Sequence, residues 1–303
     1  MGKDVSNLSI ENLNSIFLGK IKDYISMMKY YLTYDELQSR KNEVLDELDS
    51  IIKEYKISKK DYEESKSLVQ ESDDSIKVES VIKEKQDKFE TVSNRLSSLI
   101  NNEVEFLHFM TTDFSSEYKD HGLQYTESHV KNYTKTFYTG IDTAATYSVI
   151  NTLALKKKCE GENFDYPEEM EDEEVKLYQI KDEVVIDMLD LLGTDFMKFY
   201  FLGKGKEFDK KLMSLFMLDA ALSEKEVRNK MNSLKIDADE AESLIAMETR
   251  NIFDEGINKS VKENKEDFYY KYIYIVNKIK RVPKVEKIET EEEIKEKAPK
   301  GLK

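Results

Sequence analysis

The sequence predicts a mainly α-helical protein: a helical bundle with a long helical hairpin, then a compact helical unit ending in a β-strand. Three observations carry this. Proline is absent from residues 1–166, and a proline inside a helix costs about 3 kcal/mol, so long uninterrupted helices are permitted there. Apolar residues recur at three- and four-residue steps through most of the chain, the period of a helix with one buried stripe. The aromatic and β-branched run Phe268–Val276 has strand propensity, with a final helix as the alternative.

Taken in order, Ser9 is placed to cap a helix over 9–33 whose stripe contains Leu13, Ile16, Phe17, Ile21, Tyr24, Ile25, Met28 and Tyr31. From Tyr34 a second stripe runs through Leu37, Val44, Leu45, Leu48, Ile51, Ile52 and Tyr55. A polar stretch, 58–75, separates it from a third containing Val78, Val81, Ile82, Phe89, Val92, Leu96, Leu99 and Ile100. Two stripes of similar length about a polar turn predict an antiparallel hairpin with a coiled-coil-like seam and Lys/Glu-rich outer faces. Residues 103–158 are denser. Gly140, Ala144, Ala145 and Ala154 allow close helix contacts, which predicts a buried central helix over 126–158.

Residues 160–174 hold nine acids and no base around Gly161 and Pro167, the pattern of a solvated linker. The predicted organisation is a helical bundle and hairpin over 1–158, an acidic linker over 159–174, a helical unit with terminal strand over 175–282, and a charged tail over 283–303. Within the third part, 175–202 is strongly apolar but punctuated by Asp182, Glu183, Asp187, Asp190 and Asp195, so it reads as a core helix. Gly203-Lys204-Gly205-Lys206 reads as a turn and lacks the spacing of a phosphate loop. Ser223-x-x-Glu226 and Asp237-x-x-Glu240 each have the form of a capping box.

Composition narrows function. The net charge is -15, from 62 acidic and 47 basic residues, which argues against wrapping duplex DNA. The lone Cys159 excludes a disulfide framework and a multi-thiolate zinc site. No run of about 18 apolar residues occurs, so no membrane contact is expected. The N-terminus lacks the apolar core of a signal peptide, and the protein is expected to remain inside a cell.

Motifs for catalysis are absent, and the chain is read as a non-enzyme without cofactors. Glu105-x-x-His108 places a carboxylate and an imidazole on one helix face, half of the pair that di-iron bundles use twice. His121 and His129 have no Glu three residues before them, so a metal site on Glu105 and His108 is disfavoured and none is assigned.

The segment 199–282 carries the strongest pattern. A hydrophobic helix with Phe208, Leu212, Leu215, Phe216 and Leu218 is followed by Ser223-x-x-Glu226-Val227, then Ala241-x-x-Leu244-Ile245-Ala246-Met247-Glu248-Thr249, Gly256 and the aromatic run. This order resembles the C-terminal part of the tailed-phage head-morphogenesis, or minor head, proteins over about a quarter of the chain. The matching positions are Leu244, Ile245, Ala246, Glu248, Thr249 and Gly256. The chain departs from that pattern at Ala246-Met247, where the family has an Arg, and after Asn277, where the family's later turn and downstream His are missing.

The resemblance implies a structural protein of a phage-like capsid, acting at or near the portal in head assembly. It implies the portal and major capsid proteins as partners, with packaged DNA close by and self-association as a further contact. The place of action would be the cytoplasm of a bacterial host and then the virion. The partner-binding residues expected are Leu244, Ile245, Glu248, Arg250, Lys280 and Arg281. The alternative reading is a cytoplasmic coiled-coil adaptor binding another helical protein through the 35–107 hairpin. Residues 278–303 contain nine bases and six acids, so the end of the chain is suited to an acidic surface despite the overall charge.

Overall fold

The computed structural model describes Val5 and residues 8–68, 75–129, 133–162, 175–262 and 266–282. Of these, 82% are helical, in eleven helices, with one two-stranded sheet, which makes the fold mainly α.

Helix α1 (Ile10–Met28) begins where Ser9 accepts a hydrogen bond from the Asn12 N–H, satisfying one of the donors that a helix start leaves free. Its stripe buries Leu13, Phe17, Ile21 and Tyr24. Helices α2 (Tyr34–Leu68) and α3 (Ser75–Asn101) pack along each other. Arg95 pairs with Glu47, Phe89 stacks against Tyr55 and Tyr62, and Lys85 pairs with Asp61. One sequence number rises as the other falls, so the hairpin is antiparallel. Its seam is Val44, Leu48, Ile51, Ile52 and Tyr55 against Val92, Leu96, Leu99 and Ile100, all buried, at the three- and four-residue steps of interlocking helices.

Helix α4 (Glu103–Thr111) is capped by Asn102. Arg40 of α2 is buried and donates to the carbonyls of Met110 and Thr112, both at 2.8 Å. It thereby satisfies acceptors that the end of α4 leaves open. A looped segment, 112–124, leads into an antiparallel hairpin of β1 (Tyr125–His129) and β2 (Tyr133–Phe137), registered Tyr125 against Phe137. Helix α5 (Thr139–Cys159) follows, with Ile141, Ala144, Ala145, Tyr147, Val149, Ile150 and Leu153 buried around its circumference. The central helix expected over 126–158 is therefore confined to Thr139–Cys159: its first part is corrected, because the Thr- and Tyr-rich residues on either side of 130–132 pair as β-strands instead.

The second half comprises α6 (Val175–Leu192), α7 (Asp195–Leu202), α8 (Gly205–Leu222), α9 (Glu224–Leu234), α10 (Ala238–Val261) and α11 (Glu266–Lys280). One cluster of buried apolar side chains draws on helices from both sides of residues 159–174, including Ile141 of α5, Val184 of α6 and Phe253 of α10. Most of the acidic linker (163–174) and the whole charged tail (283–303) lie outside the described residues.

Two further local expectations are corrected. Residues 268–276 are not a strand but part of α11. Tyr272, Ile275, Val276 and Ile279 are buried while Tyr270 and Tyr274 are exposed. That is the helical three-and-four period, and packing of this stripe overrides the strand propensity of the individual residues. At Ser223 no capping box forms, because its hydroxyl donates back to the Asp219 carbonyl instead. Asp237 does cap α10, accepting from the Glu240 N–H at 2.9 Å.

Candidate functional site

Helix α10 has two faces with different work. Arg250, Asp254 and Asn258 recur at four-residue steps and therefore point the same way. Arg250 is buried, so the expectation that it meets a partner is corrected. Its Nε lies 2.7 Å from Asp209 Oδ1 and 3.3 Å from the Tyr138 hydroxyl, and its outer nitrogens reach Glu127 at 3.4 Å. The guanidinium stacks 3.7 Å from the centre of the Phe137 ring. Tyr138 donates its hydroxyl to Asp209 and its backbone N–H to Asp254 Oδ1, and Asn258 Oδ1 accepts from the Gly140 N–H. This network ties the β-hairpin and the start of α5 to α8 and α10. Burial pushes the Asp209 carboxyl above the ordinary carboxylate range, opposed by the Tyr138 hydrogen bond and the Arg250 charge.

The other face of α10 meets α9 and α11 in an open groove of about 780 Å³. Ile245, Glu248, Thr249 and Ile252 contribute from α10, Glu226 and Lys230 from α9, and Tyr270, Lys271, Tyr274 and Lys278 from α11. Ile252 is 46% exposed, Tyr270 75% and Tyr274 65%. Glu248 is exposed and pairs with Lys230, and Lys278 pairs with Asp219. Of the six residues expected to bind a partner, Ile245 and Glu248 thus line one groove. Leu244 is half-buried on α10. Lys280 turns to Asp187 and Asp190 of α6, at 2.7 and 3.0 Å. Arg281 is exposed just beyond α11.

No family model, curated protein or solved structure matches this chain. Function must be argued from its own residues.

A second constellation was hidden from the sequence. Glu105 is exposed, whereas His108 faces inward and stacks on His121, with ring centres 3.8 Å apart. The buried Asp142 of α5 stands beside them, its Oδ2 3.2 Å from His121 Nδ1. That contact is short enough for an ion pair yet not aligned as a hydrogen bond, and Nδ1 is buried with no hydrogen-bond partner among the described residues. Burial, then the neighbouring His121, lowers the pKa of His108 to about 4. The three residues come from α4, the 112–124 segment and α5. Only their meeting in space defines them, and 34 positions separate His108 from Asp142 in the chain. The one signal available was an aspartate at the start of an otherwise small and apolar helix, because a buried acid demands a partner.

Proposed function

We propose that the chain is a structural interaction protein that docks a partner in the α9–α10–α11 groove, acting as a minor component of a phage-like head at or near the portal. The observation that carries the docking reading is the exposure of Tyr270, Tyr274 and Ile252 together on one groove. Aromatic side chains set among polar neighbours are the usual anchors of protein interfaces. The resemblance of Leu244–Gly256 to the minor head proteins supplies the choice of partner, the portal protein first and the major capsid protein second.

Charge supports a partner of stated chemistry. The chain as a whole carries -15, but three lysines (Lys230, Lys271, Lys278) against two acids (Glu226, Glu248) line the groove. Arg281 is exposed just beyond α11, whereas Lys280 is held by Asp187 and Asp190. The fitting occupant is an apolar helix face edged with acids, steered to the basic end of the groove. No helix among the described residues is long and apolar enough to cross a membrane.

Mixing the purified chain with the portal protein tests this. The wild type is expected to co-elute with it. The pair Tyr270→Ala and Tyr274→Ala is expected to weaken binding by about 30-fold or more, the scale of losing interface anchors. Ile57→Asp and Val81→Asp, at the exposed apolar positions of the α2–α3 hairpin, are expected to leave binding unchanged. The reverse pattern would support the hairpin adaptor instead.

A further inference from the structure

We propose that His108, His121 and Asp142 are the ligands of one divalent first-row transition-metal ion, zinc being the ion that the donor set fits best. This site goes beyond the partner reading and does not rest on it. The ligand atoms of the three side chains all lie within 4.8 Å of one another. Metal–ligand bonds of about 2.0–2.1 Å at tetrahedral angles place two ligand atoms about 3.3 Å apart. His121 Nδ1 and Asp142 Oδ2 already stand at 3.2 Å. Closing the widest pair to the same separation asks for a movement of at most about 1.5 Å, and the two rings, stacked with planes 17° apart, must tilt out of parallel to aim one nitrogen each at the same ion.

The chemistry of the cluster points the same way. Asp142 is 1% exposed, and no lysine or arginine among the described residues pairs with it. Its Oδ1 accepts from the Leu123 N–H at 2.9 Å, and its Oδ2 from Gln124 Nε2 at 3.2 Å. Those neutral donors orient the carboxylate without cancelling its charge, the arrangement that second-sphere groups give a metal-binding acid. His121 Nδ1 is a buried nitrogen with no hydrogen bond to satisfy it, at a cost that a bound cation removes. Two imidazoles and one carboxylate suit zinc, nickel, cobalt or ferrous iron better than magnesium or calcium, which prefer all-oxygen sites. Three protein ligands leave a coordination position open. The ion would join α4, the 112–124 segment that follows it, and α5.

The test uses the full-length chain, stripped with chelator and dialysed. Titration with cobalt should produce visible absorption saturating at one ion per chain, and zinc should displace it. Separate His108→Gln and His121→Gln variants should each weaken binding by at least about 100-fold, while Cys159→Ser and His129→Gln leave it unchanged. X-ray absorption on the zinc-loaded wild type needs no variant, and should show two imidazoles and no sulfur. The proposal is overturned if stripped protein retains neither metal at micromolar concentration, if sulfur enters the coordination shell, or if both histidine variants bind as the wild type does.

Discussion

Arg250→Ala is expected to lower stability by about 3–5 kcal/mol, because it removes the cation from a buried charge network and leaves Asp209 behind. Asp209 is buried, and its hydroxyl donor Tyr138 cannot replace the missing charge. Chemical denaturation of wild type and variant reads the loss directly. Adding Asp209→Asn to Arg250→Ala should recover part of it, since the second change removes the stranded carboxylate. The pH dependence has a defined sign. Burial already raises the Asp209 pKa, and losing Arg250, which holds it down, raises it further. Above that pKa the variant pays in full for a buried anion. As pH falls through it, Asp209 takes up a proton in the folded variant and the gap to wild type narrows. A gap that widens on acidification would contradict this account of the network.

Gly122→Ala is expected to cost about 2–5 kcal/mol. Gly122 sits at φ +55°, and a methyl built there would lie 1.9 Å from Asp142 Oδ1 and 2.9 Å from the Tyr200 ring. The left-handed backbone accounts for about 1–2 kcal/mol, and the forced displacement of a buried carboxylate for about 1–3 kcal/mol more. Gly161 provides the control. It has φ +77° but open space around its Cβ position, so Gly161→Ala should show the backbone cost alone. Comparing the two denaturation midpoints separates strain from collision. Equal shifts would mean that the turn over Asp142 yields easily.

The fold was legible where a single helix or a pair of neighbours decided it. The stripes of α1, α2 and α3 predicted both the helices and the antiparallel seam, because burying one face is enough to specify each. The aromatic run at 268–276 misled, since β propensity is a preference of single residues while the burial of Tyr272, Ile275, Val276 and Ile279 is a property of the assembled helix. Ile245 and Glu248 were singled out by the resemblance and not by any sign of a groove, which forms only when α9 and α11 pack beside α10. Arg250 was not: nothing near it in sequence shows that Asp209, 41 positions earlier, and Tyr138, 112 positions earlier, would enclose it. The same reason hid His108, His121 and Asp142. Their partners lie across tertiary contacts, and only the hydrophobic packing of α4, α5 and α7 brings them together.

In this account α10 is a two-faced element. Its inner face ties the β-hairpin and α5 to it through Arg250, Asp254 and Asn258, and its outer face is the one proposed to receive a partner. Amide hydrogen exchange on the full chain, alone and mixed with the portal protein, tests this most directly. Added protection is expected in α9, α10 and α11 around Lys230, Glu248–Ile252 and Tyr270–Lys278, with the α2–α3 hairpin unchanged. Protection confined to the hairpin, or no protection anywhere at saturating portal protein, would contradict it.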